Sequence, residues 1–101
     1  MFQLLYGGCH TRHNPPFELF CPNGLNHYLL LLVKTKAEFC IENKPLCSIP
    51  NSAIIINTHT PYSYVSPQSP YMDDWIHFTC NPDDFPYSSH FPLNTFIPLE
   101  N

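Results

Sequence analysis

Residues 28–57 read YLLLLVKTKAEFCIENKPLCSIPNSAIIIN, and this stretch decides the fold class of the chain. The segment 52–57 is β-branched in its centre and bounded by turn residues, which predicts a β-strand. Segment 36–41 alternates apolar and polar side chains with the period of two that is typical of a strand with one mostly polar face. The continuous apolar run 28–33 fits a buried strand or a buried helix, and its context favours a strand.

Turn chemistry connects these segments. The polar triplet 42–44 predicts a hairpin turn, and segment 45–48 then predicts a short edge strand because Pro45 lacks the N–H that a ladder needs. Pro50 and Asn51 predict a turn in which Asn51 takes a positive φ. Two hairpins in a row indicate a meander.

The rest of the chain continues this pattern. It predicts strands at 62–65, 71–80 and 95–98 and a long ordered loop at 81–94. Twelve prolines leave little room for long helices. We therefore expect an all-β fold, a small antiparallel jelly-roll barrel.

The length of the chain sets its domain organisation. A chain of 101 residues accommodates one modest core and so one domain. We expect an N-terminal arm at 1–26, the core of the barrel at 27–80, and a loop with the last strand at 81–101.

The balance of acidic and basic residues limits which partners the chain can bind. Eight acidic and four basic residues give a formal net charge of −4. Four bases cannot form a positive surface that follows a phosphate backbone, so we expect no DNA binding by these residues alone. The longest apolar run, 28–33, is far shorter than the roughly twenty residues of a membrane helix, so we expect a soluble protein without a membrane partner.

The cysteines indicate the cellular compartment. The chain has five, an odd number, and three lie in strand-like segments where a free thiol behaves as a small buried hydrophobe. This usage favours a reduced, cytoplasmic compartment. The alternative is a secreted domain with two disulfides and one spare thiol.

Histidines and cysteines raise the question of a metal site. Two histidines spaced by one residue, with an acid and a third histidine further on, would indicate metal binding in a β-barrel, and this spacing is absent. Cys9, His10, His13 and Cys21 offer the ligand types that zinc takes, but their spacing matches no known ligand set. We expect neither a metal nor another cofactor.

Catalytic patterns are weak as well. His59, His77 and His90 are candidate bases, but Ser89 beside His90 lacks the Gly-x-Ser-x-Gly turn that exposes a nucleophile. Two adjacent acids at 73–74 point to opposite faces of a strand and cannot act together on one substrate. We therefore expect that the chain is not an enzyme.

One set of side chains suits the binding of a small polar molecule. Aromatic faces pack on a sugar ring or a similar apolar patch, while an acid and a histidine fix orientation by hydrogen bonds. The alternative is that these residues are ordinary core with satisfied polar tips, and the period alone does not say which face of strand 71–80 looks inward. The candidate ligand-binding residues are Trp75, Tyr64, His77, Asp73 and Tyr62.

Several stretches together resemble the N-terminal domain of AraC-type transcription regulators. They are YLLLLV from Tyr28, PNSAIII from Pro50, TPYSY from Thr60, and DWIHF from Asp74 with the later FPLNTF from Phe91. The resemblance covers roughly two thirds of the chain, and its strongest part is the WIHF segment with the FPLNTF tail.

The resemblance implies a cupin-like domain that binds an effector and forms dimers, normally followed by helices and two helix-turn-helix units that read DNA. It implies that Trp75 packs against the effector and that Tyr64 or Tyr62 lines the same cavity. Departures from the family pattern at Asn26, Asn51 and Tyr62 bear on the identity of the effector rather than on the fold.

The resulting expectation is a cytoplasmic, homodimeric sensor domain. It binds a small-molecule effector, with a carbohydrate as the first candidate, and contacts DNA only through a downstream domain. Two other functions compete with it: a stand-alone metal-dependent cupin enzyme, and a structural dimerisation module without a ligand.

Overall fold

Nine strands in two sheets make up the described part of the protein. The computed structural model describes residues 2–80 and 92–99, with only the backbone at Phe2. The strands are β1 (Phe2–His13), β2 (Phe17–Cys21), β3 (Tyr28–Val33), β4 (Glu38–Ile41), β5 (Lys44–Cys47), β6 (Ser52–Ile56), β7 (Tyr62–Ser66), β8 (Tyr71–Cys80) and β9 (Ile97–Pro98).

The strands pair in antiparallel fashion throughout. A five-stranded sheet has the order β1-β8-β3-β6-β9, and a four-stranded sheet has the order β2-β7-β4-β5. The predicted all-β class is thus confirmed as a sandwich-like arrangement of two antiparallel sheets. The loop expected at 81–94 lies outside the described residues over 81–91, and no helix able to cross a membrane occurs within 2–80 and 92–99.

The apolar run 28–33 is a central strand. β3 pairs with β6 on one side and with β8 on the other, so both edges of its backbone are hydrogen-bonded. Leu29, Leu31 and Val33 face the interior and are buried, while the residues between them are half-buried on the outer face. Partial cover on the outer face explains why the run shows no polar alternation.

The hairpin chemistry of the segment 36–51 is confirmed. The β4–β5 register pairs Ile41 with Lys44, so the loop consists of Glu42 and Asn43, both at positive φ as a type I′ turn requires. β5 lies at the edge of its sheet, as predicted, although its proline stands second rather than first in the strand. Asn51 has a φ of 60°, the positive value predicted for its turn.

The N-terminal segment differs from the predicted arm. Within 1–26, β1 pairs along nearly all of β8, and β2 pairs with β7 in the other sheet. β1 is an edge strand with mostly exposed side chains, so it lacks the apolar periodicity that identifies a strand in a sequence. In β2 the alternation was present, because Phe17, Leu19 and Cys21 turn inward between exposed neighbours.

Candidate ligand-binding cavity

A cavity of about 300 Å³ lies between the two sheets and opens toward solvent. This volume is at the lower end of the range for small-molecule sites, about 300–1,000 Å³. β1 and β8 supply most of its polar lining, and β2, β3 and β7 supply the remainder. The lining residues are Tyr6, Thr11, His13, Leu19, Leu29, Leu31, Tyr62, Tyr64, Asp73, Trp75 and His77.

All five side chains selected from the sequence lie on this one cavity. Three larger clefts, of about 340, 370 and 420 Å³, occur elsewhere on the surface. The first has only apolar side chains, with Phe78 among them, and no aromatic ring lines the other two. The cavity between the sheets therefore combines apolar rings with polar groups, which is the composition expected of a small-molecule site.

The phase of β8 decides which of its residues reach the cavity. Asp73, Trp75 and His77 line it, because side chains two apart share a face. The intervening Asp74 lies on the outer face, where its carboxylate lies 3.2 Å from Lys34 Nζ and accepts a hydrogen bond from the backbone N–H of His10. The sequence pattern of strand 71–80 did not show which face looks inward. In the structure it is the face of Trp75.

Asp73 is a buried carboxyl with an incomplete set of partners. It is 2% exposed, and Tyr71 donates its hydroxyl to Oδ2 at 2.9 Å. The other oxygen, Oδ1, has no hydrogen-bond partner among the residues that the structure describes. Burial raises the pKa of Asp73 above its ordinary value, against the opposing effects of the Tyr71 hydrogen bond and of His13.

Two tyrosines of β7 form the opposite wall. Tyr62 and Tyr64 are each 6% exposed, and their rings lie 6.3 Å apart with nearly parallel planes. Burial is the main cause that raises the pKa of each phenol well above its usual value, with Asp73 the second cause at Tyr64. Both hydroxyls therefore stay protonated at physiological pH, and the hydroxyl of Tyr62 is hydrogen-bonded to the Cys21 side chain.

β1 holds the indole of Trp75 in place. Its Nε1–H donates to Thr11 Oγ1 at 2.9 Å, and the ring of Tyr6 meets it edge-on at 5.7 Å between centroids. On the same strand Gly8 lies opposite Trp75, and a Cβ at that position would come within 2.7 Å of the indole. The hydrogen bond to Thr11 thus orients the half-buried ring, and the lack of a side chain at Gly8 leaves room for it.

Three rings lie together at the end of this cavity wall. Tyr6 stacks on His77 at 4.2 Å, and His27 Nε2 lies 2.7 Å from His77 Nδ1. Burial is the first cause that lowers the pKa of His77, and His27 is the second. Because Nδ1 of His77 is hydrogen-bonded to His27, its Nε2 can accept or donate one further hydrogen bond, depending on the tautomer.

Sequence reasoning missed the contributions of the N-terminal strands. Tyr6, Thr11 and His13 of β1 and Leu19 of β2 all line the cavity. They were missed because residues 1–26 were interpreted as an arm. The spacing of Thr11 and His13, two apart, was the only local signal that they share a face.

Within the described part of the chain, the side chains considered for metal binding or catalysis do not converge. Cys9 lies on β1 of one sheet and Cys21 on β2 of the other, and no group of three metal-binding side chains occurs in the described segments 2–80 and 92–99. His59 is exposed in the loop before β7. His90 and Ser89 lie outside the described residues.

Comparison with known proteins adds information on the fold. The sequence matches no protein-family model and no curated protein. Among solved structures it is similar to the plu4264 protein from Photorhabdus luminescens, with a TM-score of 0.58 and 14% sequence identity. The match covers 78% of this chain and 66% of that chain, just under two thirds of its length. At this identity the similarity concerns the fold alone.

Proposed function

We propose that this domain binds a small molecule between its sheets and acts as the effector-sensing domain of a transcription regulator resembling the AraC family. The observation that carries the proposal is the convergence of Tyr62, Tyr64, Asp73, Trp75 and His77 on one cavity. An aromatic wall facing a buried acid and a histidine supplies both contact area and orientation for a ligand.

The remaining parts of the proposal follow from the resemblance and the composition. The two sheets form a cupin-like jelly roll, and the domain is a cytoplasmic homodimer that contacts DNA through a further domain. The outer face of the five-stranded sheet supports a role in assembly, because it carries an apolar cleft. The cleft is lined by Leu4, Leu30, Ile55, Ile76 and Phe78.

Two competing functions have less support. A structural dimerisation module would fill its interior, whereas about 300 Å³ lies open between these sheets. A metal-dependent cupin enzyme needs three converging ligands, and the described residues bring together no such group. We therefore propose binding rather than catalysis.

The experiment uses Trp75, the only tryptophan of the chain, as a reporter within the cavity. Titration of the domain with a panel of pentoses, hexoses, small acids and small amines should change its fluorescence with a saturable profile for at least one compound. Thermal melting should show stabilisation by the same compound, because a ligand that binds only the folded state raises its stability.

A matched pair of variants tests the location of the site. Trp75→Ala should abolish stabilisation by that compound while leaving a folded domain, since the ring is only half-buried. Ile76→Ala, on the other face of the same strand, should retain it. A folded Trp75→Ala variant that binds as tightly as the wild type, or a panel in which no compound binds, would contradict the proposal.

A further inference from the structure

The cavity contains a carboxyl group but none of the permanent cations of the protein. The chain has four such residues, and all of them lie outside the cavity lining: Arg12, Lys34, Lys36 and Lys44. Arg12 alternates with Thr11 and His13, which both face inward, and Lys34 is paired with Asp74 on the outer face. An anionic ligand would therefore meet no fixed positive charge and would lie close to an acid.

Asp73, the buried acid of the cavity lining, has only one hydrogen-bond donor among the described residues. Asp73 uses Oδ2 for the Tyr71 hydroxyl, while Oδ1 has no partner within the described part of the chain. A buried carboxylate is stabilised when an N–H or O–H group fills such a position. The titratable and charged groups around it are Tyr71, Tyr64, His13, Asp74 and Lys34.

The other walls of the cavity favour positive charge as well. Tyr6, Tyr62, Tyr64 and Trp75 present aromatic rings to the cavity, and the quadrupole of such rings attracts a cation that lies within about 6 Å of a ring centroid. Burial moves the pKa of Tyr62 and Tyr64 further above neutral pH, so neither of these phenols carries a negative charge. Rings of this kind around one carboxylate are a binding environment for an organic cation.

We propose that the ligand is a small primary amine whose ammonium group donates to Asp73 and lies among the rings of Tyr64 and Trp75. The proposal rests on the ligand-binding function proposed above and names the chemical class of the ligand. A primary amine fits better than a quaternary ammonium group, because it combines a positive charge with an N–H that can donate to Oδ1 of Asp73, and a quaternary ammonium group has no N–H. The modest volume, about 300 Å³, restricts the ligand to a small molecule.

Pairs of probes that differ only in this group test the proposal. Isothermal titration calorimetry at neutral pH compares 2-phenylethylamine with 2-phenylethanol, and D-glucosamine with D-glucose. At least one amine should bind about 10-fold or more tightly than its neutral counterpart, since a charge-assisted hydrogen bond is roughly twice as strong as a neutral one. Asp73→Asn should remove this advantage, and Asp74→Asn, the adjacent acid on the outer face, should keep it.

A pH titration of the wild-type domain provides a second test that needs no variant. Protonation of Asp73 removes the negative charge, so the affinity for the amine should decrease as the pH falls through the pKa of this carboxyl group. Amine binding should release protons in that range, which calorimetry in buffers of different ionisation enthalpy detects. The affinity for the neutral probe should change little over the same range.

The outcomes separate this inference from the proposed function. Neutral members that bind as tightly as the amines, or an anion such as phenylacetate that binds more tightly, would overturn the amine assignment and leave ligand binding in place. Amines that show no binding at millimolar concentration would overturn it too. If no compound of any class binds, the proposed function fails with it.

Discussion

The indole of Trp75 on β8 fills the space that a side chain at Gly8 on β1 would occupy. The two residues are register partners in the β1–β8 pairing, and a Cβ built on Gly8 would lie 2.7–2.8 Å from three atoms of the indole. The ring extends over the position where β1 has no side chain, and from there its Nε1–H reaches Thr11. The position of the indole in the cavity wall thus depends on the absence of a side chain at Gly8.

We expect Gly8→Val to displace the indole and weaken ligand binding. The new side chain overlaps the ring, so the Trp75–Thr11 hydrogen bond must break or the strands must separate, and overpacking of this kind costs about 1–3 kcal/mol. The fluorescence of Trp75 should shift to longer wavelength as the ring becomes more exposed. Cys9→Val, at the exposed neighbouring position, should leave the spectrum unchanged, and an unshifted spectrum in Gly8→Val would contradict the packing described here.

We expect Asp73→Asn to stabilise the protein at neutral pH. Burial raises the pKa of Asp73 in the folded state above its unfolded value of about 3.9. The contribution of Asp73 to stability therefore falls as the pH rises from about 3.9 through the folded pKa. An amide keeps an acceptor for Tyr71 and carries no charge. The variant should melt at higher temperature at pH 7, by about 4–8 °C for each kcal/mol gained, and the difference should shrink toward pH 4.

Asp74, the adjacent acid, provides a control because its pKa is shifted in the opposite direction to that of Asp73. The backbone N–H of His10, and next Lys34, lower the pKa of Asp74, so its contribution is present above the unfolded pKa and is lost as pH falls through the folded pKa. Asp74→Asn should therefore melt at slightly lower temperature at neutral pH. Equal and parallel melting curves for the two variants would show that burial does not distinguish these carboxyl groups.

We expect that the isolated domain does not bind duplex DNA. Its net charge is −4, and the ion pair with Asp74 partly neutralises Lys34, one of its four basic residues. Without a positive surface there are few counterions to release on binding. An electrophoretic mobility-shift assay at low salt should show no complex. A submicromolar complex that weakens with added salt would contradict both this expectation and the assignment of DNA contact to a further domain.

We expect removal of divalent metals to leave the fold intact. No group of three metal-binding side chains comes together in residues 2–80 and 92–99, and the close contact of His27 with His77 is a hydrogen bond. Thermal melting with and without a strong chelator should give the same midpoint. A midpoint lowered by the chelator would show that a metal stabilises the protein.

Local patterns predicted the strands with one or two buried faces. Strands Ser52–Ile56 and Glu38–Ile41 lie within the predicted segments 52–57 and 36–41, and Asn51 takes the positive φ of its turn. These features depend on residues close in sequence, so they are readable without knowledge of the fold. The predicted strand at 62–65 likewise implies that Tyr62 and Tyr64 share a face, because side chains two apart in a strand must do so.

The edge strand β1 shows what a local pattern does not contain. Its residues pair through backbone groups, which every sequence possesses, and its side chains are mostly exposed, so neither periodicity nor composition identified it. The mixed faces of β8 posed a similar problem, since both contain an acid and apolar residues. Only the opposite sheet determined that Trp75 faces inward.

By itself, the amino-acid sequence determined that this chain folds into β-strands, where the central strands and their turns lie, and which side chains form a candidate site. Only the tertiary structure decided that β1 and β2 complete the cavity, that Gly8 makes room for Trp75, and that Asp73 is buried with one oxygen unpartnered among the described residues. The physical reason is that strand periodicity is a local property, whereas burial and hydrogen-bond satisfaction depend on which distant strands pack together.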